Sequence, residues 1–219
     1  MGHKITGYHD HVRDDVLTLI PNSAKTILSI GCGAGMTEAQ LVNRGCQVTG
    51  VELDETAAKR AQKNGLKVIN QTAEQGLSQL SGSRFECIIL ADILEHLYYP
   101  KQILNECRDL LTENGLIVIS VPNFRHYSVF KHLFIKGHAP DMEAGIFDKT
   151  HIHITTMKKL EVWLSEENFL IKRKVWKLNR RLEKLVSLLS VRLLDDFLAP
   201  QVLVTAIVNS AELGNHKTT

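Results

Sequence analysis

The chain has 219 residues, 44% of them hydrophobic, and a formal net charge of +2. That length can bury one substantial core, so a single domain over residues 1–219 is expected, and so small a net charge sets nucleic acid aside as a partner. Cys32, Cys46, Cys87 and Cys107 form no C-x-x-C pair, the N-terminal MGHKITGYHDHVRDD has no signal-like apolar run, and no segment reaches membrane-spanning length; reduced thiols and a cytoplasmic location are expected.

Val12, Val16, Leu17 and Ile20 recur at helical spacing, and Pro21-Asn22-Ser23 ends that helix. A short apolar run (Ile27, Leu28, Ile30) then meets three alternating glycines, Gly31, Gly33 and Gly35, before a helical pattern over Met36–Arg44. Gln47–Leu53 reads as the second strand, Glu55–Asn64 as a helix closed by Gly65, and Leu66–Asn70 as a short third strand. Phe85–Ala91 is continuously apolar, as a strand buried on both faces should be. Tyr99–Leu111 follows as a helix closed by Asn114-Gly115, and Leu116–Val121 as a fifth strand. Strands alternating with helices imply a parallel, doubly wound α/β sheet with ligands at the carboxyl ends of its strands.

Beyond Val121 the pattern loosens. Residues 122–155 mix aromatic and polar side chains too irregularly for one amphipathic helix, and read as a partly helical cover over the site, where substrate choice is made. Thr156–Asn168 is a clear helix, and Phe169–Leu178 and Val202–Val208 read as the last two strands. Between these strands, residues 180–198 form an inserted helix with an apolar stripe that includes Leu182, Leu185, Leu189 and Phe197.

The glycine turn lets backbone approach a ligand closely, and the helix start behind it offers unpaired N–H groups and a partial positive charge. Glu52 ends the second strand, 21 positions past Gly31, where a carboxylate can accept hydrogen bonds from both hydroxyls of a ribose. A dinucleotide fingerprint requires G-x-G-x-x-G, and Met36 stands where its third glycine would fall.

The words IGCGAG followed by GVELD resemble the class I S-adenosylmethionine-dependent methyltransferases, and the resemblance runs from Tyr8 to Val208. It implies a Rossmann-like, seven-stranded sheet, mostly parallel with an antiparallel last strand, with helices on both faces. It also implies that Gly31, Cys32, Gly33 and Gly35 hold the methionine part of the cofactor, Glu52 the ribose, and Leu53, Thr72 and Ala73 the adenine. Asp92 would lie near the sulfonium, and Tyr8 and Arg13 would close over the methionine carboxylate.

After the fourth strand comes Asp92-Ile93-Leu94-Glu95-His96. If these residues are helical, spacings of three and four bring Asp92, Glu95 and His96 toward one side. Asp148–Thr156 has a strand-like alternation that would send His151 and His153 to one side. The D-x-x-E-H stretch is similar to the E-x-x-E-H metal motif of small-RNA 3′-terminal 2′-O-methyltransferases and of ubiquinone-pathway O-methyltransferases. The former add a later histidine five residues before a threonine, the spacing of His151 and Thr156. On that resemblance Asp92, Glu95, His96 and His151 would hold one magnesium- or manganese-like ion, which would chelate two neighbouring hydroxyls. Without a metal, His96 or His151 is the candidate general base for an alcohol or phenol, with Asp92 beside the cofactor.

Gly145–His151 and Glu166–Phe169 look like a broad bacterial and archaeal group of methyltransferases linked to glycan or natural-product pathways. Ser120–Phe124 is similar to methyltransferase-like proteins associated with methionine biosynthesis, a group ranked lower because Asp92–His96 departs from it. The expected reaction is methyl transfer from S-adenosylmethionine to an oxygen of a small-molecule acceptor such as a sugar, a phenol or a quinone. Rival readings are a non-catalytic S-adenosylmethionine-binding partner protein, an oxidoreductase using a dinucleotide, and a 2′-O-methyltransferase acting on an RNA end. Lys172, Arg173, Lys174, Lys177, Arg180, Arg181 and Lys184 form a basic cluster, read first as a solvated edge strand. Contact of that cluster and its neighbouring helix with a membrane surface is the sharper but less favoured reading, and either a monomer or a homodimer is compatible with the chain.

Overall fold

The computed structural model describes residues 11–178 and 181–209. Seven strands form one sheet in the order β3-β2-β1-β4-β5-β7-β6. In chain order they are β1 (Thr26–Ile30), β2 (Gln47–Val51), β3 (Lys67–Ile69), β4 (Phe85–Ala91), β5 (Leu111–Pro122), β6 (Phe169–Lys177) and β7 (Gln201–Val208). The first five pair in parallel and β7 runs antiparallel to both β5 and β6, which is the expected seven-stranded arrangement with its antiparallel last strand.

Period-two alternation divides the central strands between two cores. Leu28 and Ile30 of β1 join Ile88 and Leu90 of β4 on one face, under the helices α5 (Pro100–Leu110) and α7 (Met157–Glu166). Ile27, Cys87 and Ile89 face the other side, with Val16 and Leu17 of α1 (Asp14–Leu17), Leu41 of α2 (Met36–Asn43) and Ala61 of α3 (Glu55–Lys63). Local chemistry starts several of these helices. Asp54 accepts the Ala57 amide at 2.7 Å ahead of α3, Thr156 accepts the Lys159 amide at 3.2 Å ahead of α7, and Pro100 opens α5.

Four expectations need correction. A helix, α4 (Ala73–Gln79), follows β3 where none was expected; Thr72 caps it by accepting the Gln75 amide at 3.3 Å, and only Gly76 and Leu77 within it are buried, too few to show a period. Asn114-Gly115 does not stand outside the sheet, because β5 begins at Leu111 and absorbs the turn as an irregularity: Leu111 pairs with Phe85, and Leu116 with Cys87. The segment holding His151 and His153 is not a strand. The inserted helix is two helices, α8 (Arg181–Leu189) and α9 (Asp195–Leu198), separated by a turn in which Val191 and Arg192 have φ of 51° and 64°.

Residues 122–155 are partly helical, as expected. They carry α6 (Tyr127–Phe130) and a π-helical turn (Lys131–Ile135). The two ends of this segment are tied together, with the Phe124 amide donating to Thr155 O at 2.9 Å and the Thr155 hydroxyl donating to Pro122 O at 2.6 Å.

Candidate active site

A cavity of about 1030 Å³ opens at the carboxyl ends of β1, β2, β3 and β4, where a doubly wound sheet places its ligands. The β1–α2 turn forms its floor. Gly31, Gly33 and Gly35 have φ of 69°, 54° and 70°, a region that side chains with a Cβ rarely adopt. A Cβ on Gly31 would also come within 2.9 Å of Ile93 Cδ1. Cys32 fills the turn from inside, its sulfur so near Gly50 that a Cβ there would meet it at 2.6 Å. Burial raises this thiol further from ionisation, with the Glu38 and Glu52 charges adding to it, which suits a filler rather than a nucleophile.

Glu52 is fixed from both sides. One carboxylate oxygen accepts the Gly33 amide at 2.7 Å and the other accepts the Asp54 amide at 2.9 Å. Asn70 then holds the strand end by donating to the Glu52 and Leu53 carbonyls at 2.8 and 2.9 Å. Leu53, 69% exposed, and Thr72 and Ala73 at the start of α4 stand on the same side of the cavity.

Asp92 lies outside any helix, with φ of 55°, because only Leu94–His96 forms a single 3₁₀ turn. Its carboxylate is fully engaged: Arg13 donates to one oxygen, and Ser120 and Gln201 donate to the other at 2.7 and 2.6 Å. Arg13 is in turn held by Asp15 at 2.8 Å, and Lys177 reaches Asp15 at 2.8 Å. Burial works against charge on Asp15, but hydrogen bonds from Arg13 and Lys177 prevail and hold its carboxyl down at about 2.

The structure brings Glu95, His96 and His151 together, with one potential ligand atom of each inside a 4.8 Å span. The backbone clamps them: Glu95 O accepts the Ile152 and His153 amides at 3.0 and 3.2 Å, and His153 Nε2 meets Leu97 O at 2.9 Å. Thr150 contacts His96 Nδ1 through its hydroxyl at 3.1 Å, and His151 Nδ1 meets Ile146 O at 3.2 Å. Glu95 is 1% exposed and its Oε2 has no hydrogen-bond partner among the described residues; burial, reinforced by the Asp92 charge, raises its carboxyl well above the usual range. Burial and the nearby His96 lower the pKa of His151, which favours its neutral ring. Of the four residues assigned to a metal by resemblance, Asp92 stands apart, its oxygens spent on Arg13, Ser120 and Gln201.

Tyr8 lies outside the described residues. Arg13 lines the cavity, and its guanidinium is already spanned by Asp15, Asp92, Ser120 and Gln201. The sequence reading missed Glu38, a buried cavity-lining carboxyl bonded to the Ser29 hydroxyl at 2.7 Å and raised by burial. It also missed Ser120 of β5 and Gln201 of β7, which reach both Arg13 and Asp92, and the pairing of Asp15 with Arg13 and of Lys177 with Asp15.

The family described as "Methionine biosynthesis protein MetW" matches residues 10–202. The ubiquinone biosynthesis O-methyltransferase of Glaesserella parasuis serovar 5 (strain SH0165) is 33% identical over 108 residues, 45% of this chain and 46% of that protein. Its counterpart in Idiomarina loihiensis is 33% identical over 104 residues, 45% of this chain and 43% of that protein. The match to these curated relatives thus spans somewhat under half of their length. Among solved structures, a SAM-dependent methyltransferase from Archaeoglobus fulgidus superposes with a TM-score of 0.69 at 19% identity, covering 88% of this chain and 91% of that one. Magnesium protoporphyrin IX methyltransferase from Synechocystis PCC 6803 with bound SAM gives 0.56 at 14% identity, covering 89% and 75%. At such identities the likeness is one of fold, the Rossmann-like methyltransferase fold.

Proposed function

Because the chain belongs to the family described as methionine biosynthesis protein MetW, we propose that it is an S-adenosylmethionine-dependent methyltransferase that methylates a hydroxyl of a small molecule. The family ranked lower from the sequence is therefore the one to which the chain belongs; the curated relatives named as O-methyltransferases support oxygen as the acceptor atom. The observation that carries the cofactor reading is the Glu52 carboxylate, pinned by the Gly33 amide at 2.7 Å above a turn of left-handed glycines. Pinned so, it presents its remaining lone pairs to two ribose hydroxyls without further reorganisation. Gly31, Cys32, Gly33 and Gly35 take the methionine part, Leu53, Thr72 and Ala73 the adenine, and Asp92 the neighbourhood of the sulfonium. Arg13 closes this wall through its ion pairs.

In the transfer, an acceptor oxygen attacks the methyl carbon, the carbon–sulfur bond breaks and its electrons return to sulfur, leaving S-adenosylhomocysteine. The acceptor proton goes to an imidazole nitrogen, that of His151 or His96. Holding the two reactants in line supplies most of the acceleration such a reaction needs. The unpartnered Glu95 Oε2 beside His96 and His151 is a donor set that fits a divalent ion such as magnesium or manganese. With such an ion bound, His96 and His151 would be its ligands instead of bases, and the ion would lower the pKa of an acceptor hydroxyl. Among the described residues no helix is long and apolar enough to cross a membrane, and a cytoplasmic location is part of this proposal.

The test is isothermal titration of S-adenosylhomocysteine into wild type and Glu52→Ala, first without metal and then with manganese. Binding to wild type that is lost in Glu52→Ala is expected. No binding to wild type would return the dinucleotide reading, and binding without turnover of any acceptor would favour a non-catalytic cofactor-binding protein.

A further inference from the structure

Among the described residues, no apolar side chain of α8 belongs to either core of the sheet. Phe134, Ile135, Leu188, Leu189, Val191 and Leu193 are each between 71% and 85% exposed. They lie on two segments, residues 127–136 of the cover and residues 181–197, that meet at α9. Arg125 forms an ion pair with Asp196, the Asn123 side chain donates to Asp196 O at 2.6 Å and Ala199 O at 2.9 Å, and the Tyr127 and Phe197 rings stand 6.1 Å apart. Exposed apolar side chains scattered singly need no explanation, but six large ones on two segments that are joined at α9 mark a surface made to be covered.

Charge says what covers it. No aspartate or glutamate occurs between Asn123 and Pro140, whereas Lys131 and Lys136 are exposed there. Residues 181–198 contain three acids: Glu183 and Asp195 are buried, and Asp196 is paired with Arg125. Their cations, Arg181, Lys184 and Arg192, are all exposed. The surface therefore carries large apolar side chains and outward cations, with its carboxylates turned in or neutralised. Leucine and phenylalanine side chains entering the headgroup boundary, with lysine and arginine at the phosphate level, is the way a protein lies on an anionic bilayer. An acidic protein partner would satisfy the cations but would need a matching apolar face. A second copy of the same surface would set cation against cation.

We infer that the face formed by residues 127–136 and 181–197 docks the protein onto an anionic lipid surface. The inference stands on exposure and charge alone and is independent of the methyl acceptor. Phosphatidylglycerol supplies what this face lacks, fixed negative charge above an apolar layer, and phosphatidylcholine supplies the apolar layer without it. Docking on this face would bring the cover, and with it the site's outer wall, to the membrane.

The experiment is flotation of the full chain with phosphatidylcholine vesicles, with and without phosphatidylglycerol. Binding only to the mixed vesicles, weakening as salt rises, is expected. A Phe134→Asp/Leu188→Asp double variant should abolish it, and Lys131→Glu/Lys184→Glu should weaken it by roughly tenfold or more. All four side chains are exposed, so thermal melting and S-adenosylhomocysteine titration should match wild type and separate lost docking from lost folding. Failure of wild type to float, or flotation unchanged in both variants, overturns the proposal. So does a wild-type dimer that Phe134→Asp/Leu188→Asp splits without any vesicle binding, which would assign the face to a second copy.

Discussion

Arg13 and Asp92 stand 79 residues apart in the chain and form an ion pair in the wall of the cavity. The pair joins the segment before α1 to the residue after β4, and Ser120 and Gln201 extend it to β5 and β7. Replacing Arg13 by Met leaves a largely buried carboxylate with two neutral donors, a loss of roughly 1–3 kcal/mol. Lower thermal stability and weaker S-adenosylhomocysteine binding are expected together. A melting point and an affinity both equal to wild type would remove the pair from any role in closing the site.

Asp15 predicts an acid limb. Its folded carboxyl titrates at about 2 against an ordinary 3.8, so it contributes stability that is fully present above pH 3.8 and is lost as pH falls toward 2. Asp15→Asn should be less stable than wild type at neutral pH and close to it near pH 2. Melting curves across that range check this, and parallel curves would contradict it.

Glu38 predicts the opposite slope. Burial raises its folded carboxyl, so folding favours the protonated form; the stability it permits is complete below the unfolded value of 4.5 and declines as pH rises toward the folded one. Glu38→Gln keeps the hydrogen-bonding shape toward Ser29 without the titration. It should gain stability relative to wild type at pH 8 and not at pH 4, as measured by thermal denaturation at the two values.

His151 is predicted to act in proton removal and not in cofactor binding. His151→Ala should leave S-adenosylhomocysteine affinity unchanged and lower turnover by ~10²–10⁴-fold. Consumption of S-adenosylmethionine with a panel of phenols and sugars measures this, and unchanged turnover would pass the role to His96.

Glycine spacing, the carboxylate closing β2 and the apolar run of β4 are local signals, since backbone freedom, strand alternation and burial on both faces act over a few residues. They made the doubly wound fold legible, and they marked the glycine turn and Glu52, which line the cavity. The resemblance added the antiparallel last strand, and the D-x-x-E-H words drew attention to Glu95, His96 and His151. Asp92 was placed in that cluster because three- and four-residue spacing suggested a helix; its left-handed backbone instead turns it toward Arg13.

Partnerships that span the sheet were decided only by tertiary structure. Arg13 meets Asp92, Ser120 and Gln201 because α1, β4, β5 and β7 end at one place, and nothing within a few residues of any of them encodes the other three. The stripe of residues 180–198 was legible as amphipathic, but a sequence states only that a helix has an apolar side, not whether that side finds a core. Here α8 and α9 are tied down through Asp196 and Phe197 at one end, so much of the stripe remains outside, bordered by cations. Local sequence determined which segments would form and that a glycine turn and a carboxylate would close β1 and β2 at the cavity; the packing of distant segments determined which charges were neutralised and which apolar side chains stayed outside.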